Sequence, residues 1–470
     1  MQKARILFVA ILAVLVPAAF VAAEAPPILD LYPTGSLSAA AQTMPWGDDA
    51  LSYSGFRGTL NLDGYAFDTL WVYMSVYGYT NLAGLANTIS WNDEFFGPTV
   101  SYSVSGNELL LAILELQEAW VDFPVGAMDI RIGQQILAWG QADGNNPTDI
   151  LNARRIGTRF TSSLDEQKIS SPAVNLTYNL QNNLGTVQAV FLPISIAADL
   201  PSIAMNLTIP GATTTNITIL DDENPEIAIE NVEGGIRGLF YLGNISCSAS
   251  YFTGLDRYPD FAVESTFVFP TLNITMTPEH NRIHQLGFDV VLLSGGWDIR
   301  TEWAGTLTGD LQGNDPAMKN SSISGVLQIS RSFWDGRLTA TGAWSPRIIV
   351  NYTAPEDYAD PSDQMLAEQI RQYDGQAYPF ENALTFRIAG KFKNETVQPE
   401  AMFLVETAAR DWLATAAVNW NMADAWSLKL GSSFYGSFLA EGNSDRELGI
   451  FSSSDTIDDD NIYIELKYSF

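Results

Sequence analysis

The sequence predicts an all-β protein, a transmembrane antiparallel up-and-down β-barrel of about 16–18 strands with short periplasmic turns and long extracellular loops. Three features carry that prediction. Stretches of about ten residues alternate apolar and polar side chains along the whole chain, the spacing of a strand with one apolar face. The connections between those stretches are tight and long by turns. An export signal precedes them all. Only 17% of the 470 residues are charged, below the ~25% of soluble domains, while 46% are apolar.

Residues 1–23 read as a signal peptide. Lys3 and Arg5 are basic, Ile6 to Val16 is an apolar run, and Val21-Ala22-Ala23 places small residues before Glu24. Pro17 interrupts the run, which argues against a membrane anchor. Glu24 rather than Cys follows the cut, which argues against bacterial lipidation. Residues 24–50 form an N-terminal segment, either a first strand or a plug, and Ile28–Ala41 is the stretch able to supply the strand. Residues 51–470 form the barrel. No later stretch offers the ~18 consecutive apolar residues of a membrane helix, so the chain can cross a membrane only as a closed barrel.

Tight turns are expected near 63–68, 123–127, 180–184, 242–245, 294–297, 333–337, 393–396 and 421–425. Between them lie long connections rich in Asp, Asn, Pro and Gly, at about 81–107, 140–171, 195–230, 256–280, 308–319, 347–379 and 440–460, with one short exception near 408–411. A sandwich has no reason to alternate in this way, whereas outer-membrane barrels do. Alternation is cleanest at the C-terminus, where Ile462, Ile464, Leu466, Tyr468 and Phe470 share one face and Asn461, Tyr463, Glu465, Lys467 and Ser469 the other. In the 347–379 loop, Asp360 followed by Pro361 has the form of an N-cap and first helical residue, predicting a short helix to about Tyr373.

Composition excludes several functions. A net charge of −30 rules out a nucleic-acid binder that works by neutralising phosphates. One cysteine, Cys247, excludes a disulfide framework and a Cys-rich zinc site. His280 and His284 sit in no nucleophile setting, so no catalytic, cofactor or metal site is expected.

One set of motifs is specific. Gln117-Glu118-Ala119-Trp120 is followed by Arg131-Ile132-Gly133-Gln134-Gln135, then Trp139-Gly140 and Asn146-Pro147-Thr148-Asp149. Further pieces are Leu192-Pro193, Glu233-Gly234-Gly235-Ile236-Arg237, Ser248-Ala249-Ser250-Tyr251, Gly287-Phe288-Asp289 and Arg300-Thr301-Glu302. Residues 110–305 in this way resemble a largely uncharacterised bacterial family of porin-like outer-membrane proteins, with Gln134 where that family has a basic residue. The resemblance implies a pore-type barrel without an assigned substrate.

Alternation also nominates the residues that line the pore. They are Asp129, Arg131, Gln135, Arg237, Asp289, Arg300, Glu302, Arg387, Lys391, Lys429, Glu465 and Lys467, together with Glu233 and Glu406. The wall they form is near neutral, which assigns the acidic excess to loops and turns. Glu115 or Gln117 is the expected partner of Arg131 and Gln135, and Trp139 is expected in an aromatic girdle at the outer rim. Arg154, Arg155 and Arg159 make a basic cluster in the 140–171 loop that either narrows the pore from inside or lies on the surface. Phe470 has the form of a terminal signal for barrel assembly. The expected function is passive diffusion of small solutes, with outer-membrane lipids and the barrel-assembly machinery as partners and no nucleic acid. A transporter of hydrophobic compounds, resembling fatty-acid channels, and a surface adhesin mounted on a barrel are the alternatives.

Overall fold

The computed structural model describes residues 29–43, 53–67, 69–81, 111–142, 146–155, 167–199, 214–268, 271–373, 375–439 and 460–470. The expected signal peptide, Arg159 and the connections at 82–110 and 440–459 lie outside the described residues.

The first strands are β1 (Leu29–Thr43), β2 (Tyr53–Ala66), β3 (Leu70–Asn81), β4 (Leu111–Val125), β5 (Met128–Gln135), β6 (Ser171–Asn179) and β7 (Gly185–Leu192). Next come β8 (Thr214–Ile219), β9 (Glu233–Leu242), β10 (Ile245–Leu255), β11 (Asp260–Val268), β12 (Thr271–Glu279), β13 (Arg282–Ser294) and β14 (Trp297–Leu307). The last are β15 (Ser322–Phe333), β16 (Leu338–Ile349), β17 (Phe380–Gly390), β18 (Val397–Glu406), β19 (Asp411–Ala423), β20 (Trp426–Ser437) and β21 (Asn461–Ser469).

All but β8, β11 and β12 form one 18-stranded antiparallel sheet. It closes because β1 pairs with both β2 and β21. The segment that sequence leaves as strand or plug is, over residues 29–43, a strand of the wall. At the seam Gly35 and Phe470 exchange two backbone hydrogen bonds of 3.0 Å. The last strand is thereby stitched to β1, which leaves the 18-stranded sheet without an edge.

The tight turns fall where the Gly, Asn and Asp of the sequence place them, at one end of the barrel. Gly126, Gly243, Gly295 and Gly296 take positive φ there, as do Asn182, Asp335 and Asn394. Outward faces are apolar: Leu430, Ile462, Ile464 and Leu466 are exposed, while Glu465 and Lys467 point inward. Aromatic side chains flank the turns on the outside, among them Tyr65, Phe67, Phe240, Trp297, Phe333, Trp334, Trp420 and Trp426. Apolar strands ringed by aromatics form the surface that a bilayer and its interface solvate.

The long connections carry structure that alternation did not reveal. β11, β12 and β8 form a second sheet, in which β12 and β8 run parallel and pair Thr-x-Asn-Ile-Thr with Thr-x-Asn-Ile-Thr in register. Its apolar face, Phe261, Ile274 and Met276, packs on Ile370 of α1 (Pro361–Tyr373). The helix begins as the sequence predicts, with the Asp360 carboxylate accepting from the Ser362 N–H at 2.9 Å. Four of the long connections are joined in this way into one cap at the loop end of the barrel.

Candidate functional site: the inner wall and the segment folded against it

After β5 the chain does not leave the barrel. Residues 136–142 and 146–155 turn inward and dock on the inner face of the wall, from β6 round to β14. Leu137, Trp139 and Leu151 form an apolar cluster with the inward side chains Ala173, Val190, Leu192 and Phe252. The Trp139 indole N–H donates to Gln188 Oε1 at 2.8 Å. The expectation of Trp139 in an outer girdle is therefore corrected: it is 1% exposed and inside. A Trp one turn past a strand end reads as a rim residue only if the chain continues outward, and here it reverses.

The motifs meet in space. A Cβ at Gly235 would come within 2.5 Å of the Trp139 ring, and one at Gly287 within 2.6 Å of Thr148 Cγ2. Gly140 has φ +89°, and a Cβ there would lie 2.5 Å from the Glu302 carboxylate. Glu302 Oε1 accepts from the Thr148 N–H at 3.0 Å and its hydroxyl at 2.7 Å, while Oε2 accepts from the N–H groups of Gln141 at 2.9 Å and Ala142 at 3.2 Å. Arg300 donates to Gln141 O at 2.7 Å and is held by Asp298 at 2.7 Å. Asp289 accepts from Gln141, Ser248 and Arg237, the last at 3.1 Å. Gln285 donates to Pro147 O at 3.2 Å. Trp139-Gly140 and the Asn-Pro-Thr-Asp stretch thus form one half of an interlock. The strand motifs around Gly235, Gly287, Asp289 and Glu302 form the other.

A buried ion pair braces this side. Arg257 donates to both carboxylate oxygens of Glu233 at 2.9 and 2.6 Å and to Leu151 O, and it reaches Ser195 Oγ at 3.1 Å. One guanidinium thereby ties three connections to β9. Arg257 escapes a reading of the sequence because it lies in a loop, where alternation says nothing.

The basic cluster is neutralised where it is described. Arg154 pairs with Asp149 at 2.8 Å, as does Lys168, and Arg155 pairs with Glu115. Arg131 pairs instead with Asp122 at 2.9 Å, and its guanidinium lies 3.8 Å from the centre of the Trp120 ring. The expected Arg131–Glu115 contact is corrected accordingly. The β4–β5 register sets Asp122 directly opposite Arg131, and Gln117 is the extra residue of a bulge opposite Ser75 and Val76. Gln135 is fully buried and donates to Ala173 O at 3.0 Å. Asp129 accepts from Asn179 at 2.7 Å near the turns.

Beyond β15 the inner wall carries several solvated charges. Arg387 pairs with Glu400, and both side chains keep about 40% exposure, 41% and 43%. Lys429 lies 5.5 Å from the Tyr463 ring, opposite Glu465 in register. Lys467 faces Ser427 and Ser38, and Glu406 closes the short connection by accepting from Asn382 and Ala409 N–H groups. Lys391 stands one residue past β17, in a turn, paired with Glu395 at 3.3 Å. Between these charges the inner face is small and neutral, with Ser330 to Thr341 and Ser36 to Thr59 bridged by hydroxyl contacts of 3.0 and 2.9 Å.

The near-neutral wall is also corrected. Asp63, Glu118, Asp122, Asp298, Glu381 and Glu400 join the inner face, against Arg347 and Arg57. Most of these acids lie beside a basic residue or a strand end, where the alternation read from sequence was incomplete. The wall shares the acidic excess with the loops.

The model of the family described as protein of unknown function (DUF1302) matches residues 71–412. The chain belongs to that family. The barrel is similar in fold to Pseudomonas aeruginosa OccK3 (OpdO), at 9% identity and TM-score 0.50, over 94% of this chain and 96% of that one. Pseudomonas aeruginosa OpdK, solved with vanillate, is equally similar at 9% identity and TM-score 0.50, over 94% and 98%. The sequence matches no curated protein. At such identity the likeness is one of fold, an 18-stranded antiparallel β-barrel.

Proposed function

We propose that the protein is an outer-membrane channel through which small solutes diffuse passively along the sector of the barrel from β16 through β21 to β3. The observation that carries this reading is the division of the wall. One sector is filled by residues 136–142 and 146–155, and the other presents solvated charges such as Arg387 and Glu400 to the interior while its outer face is apolar. A fatty-acid-type transporter would want an N-terminal plug, whereas residues 29–43 are used to close the barrel.

The acidic wall and loops favour cations at the mouth, an effect that screening limits to about a Debye length, ~8 Å at physiological salt. Weak cation selectivity that fades with salt is the consequence. Because vanillate is the molecule present in the OpdK structure, small aromatic carboxylates are the first organic solutes to test against that preference. The test is single-channel recording of purified protein in planar bilayers in KCl, followed by addition of solutes. Stepwise, ohmic conductance supports the channel. Folded, inserted protein that passes no current overturns it.

A further inference from the structure

Glu302 is unlike the other inward carboxylates. It is fully buried, yet among the described residues no cation pairs with it, since Arg300 is committed to Asp298. Its four hydrogen bonds all come from residues 141–148, three of them from backbone N–H groups. A carboxylate removed from water is tolerated only when such charge-assisted bonds replace its hydration. Those bonds exist only while the segment is docked. Among residues 140–142 and 146–148, the other hydrogen bonds to the wall are those of Gln141 with Asp289, Ser246 and Arg300 and that of Pro147 with Gln285. Trp139 and Leu151 anchor the two flanks in the apolar cluster, but neither holds the stretch between them.

We propose that Glu302 is the latch that fixes the bore of the channel: a positioning residue whose carboxylate holds residues 140–142 and 146–148 against β13 and β14 and so sets how far they protrude into the path. The inference rests on the channel reading. The latch has two separable parts. One is the charge on Glu302. The other is the absence of a side chain at Gly140, which lets the backbone pass directly over the carboxylate in a conformation that L residues rarely adopt. Spoiling either part should release the same stretch.

A Glu302→Gln side chain keeps the volume but turns one acceptor into an N–H donor facing donors. Gly140→Ala leaves the charge and blocks the approach. Both should change the open-state conductance severalfold and make the current noisy, since a tethered stretch of chain is then mobile in the path. The size cut-off for neutral polyethylene glycols should shift with it. The double variant should resemble either single one rather than their product, because both remove one contact. Heat-modifiability on gels and trypsin resistance report whether each variant still folds as a barrel.

Wild-type protein that inserts without conducting would overturn the channel reading itself. Wild-type protein that conducts, with folded E302Q and G140A giving its conductance, noise and polymer cut-off, would overturn the latch alone. Independent, multiplying effects of the two substitutions would also sink it. If E302Q alone fails to fold, G140A still decides, because it leaves the carboxylate in place.

Discussion

The inner wall from β5 to β15 and the inner wall from β16 round to β3 are made of the same strands with the same alternation, yet they differ in what charge does. On the first sector Glu233 and Arg257 are sealed in an apolar and polar filling. On the second Arg387 and Glu400 form a pair of the same kind in an open interior. Burial strengthens electrostatics and raises the cost of a missing partner together, so the first pair is structural and the second tunes a solvated surface. A barrel can thus hold a packed core beside a sector whose charges stay solvated.

Breaking that contrast gives the largest expected effect. Arg257→Met should cost about 3–5 kcal/mol, the loss typical of a buried charge left without its partner. Arg387→Met should cost about 0–1 kcal/mol, as for a solvated pair. Urea titrations of the refolded barrel compare the two, and equal losses would erase the distinction between sectors.

The next effect separates inside from outside. Arg in place of Leu430 or Ile464, both outward, should cost about 2–4 kcal/mol near the bilayer midplane. A charge swap at the neighbouring Lys429 or Glu465 should leave folding intact and alter conduction. The same titration reads the first, and reversal potentials read the second.

Removing Phe470 should reduce the amount of heat-modifiable barrel in the outer membrane, because the seam loses its two hydrogen bonds to Gly35 and a ring stacked beside Tyr468. Unchanged accumulation would detach the terminal residue from assembly.

Selectivity should move less. Wild type should favour K⁺ weakly in a KCl gradient, and Arg154→Ala with Arg155→Ala and Arg159→Ala should shift the reversal potential little, since the first two are already neutralised by Asp149 and Glu115. A preference for anions that the triple variant abolishes would make the cluster the electrostatic centre of the pore.

The smallest effect lies in the cap. Hydrogen bonds from Ser362 hold the Asp360 carboxyl below its usual value of 3.8. A depressed folded-state pKa means that the cap's contribution is present above 3.8 and lost as pH falls through the lower, folded value. Hydrogen exchange at the first turn of α1 should rise in that acid range, and Asp360→Ala should abolish the dependence.

Alternation, turn chemistry and one capping pair were enough to determine much of this molecule from sequence. Each reports on neighbours: the pleat gives the faces of β21, Gly and Asn with positive φ give the turns, and Asp360-Pro361 gives the start of α1. Sequence leaves Ile28–Ala41 open as strand or plug, and pairing with β2 and β21 makes residues 29–43 a strand. Tertiary structure alone decided what fills the barrel. Glu302 meets Gln141 across 161 residues of chain, and Arg257 meets Leu151 across 106. No local periodicity encodes such a meeting. The motifs recorded that those residues matter, and folding decided that they touch, because a carboxylate with no water left must find its donors wherever the chain brings them.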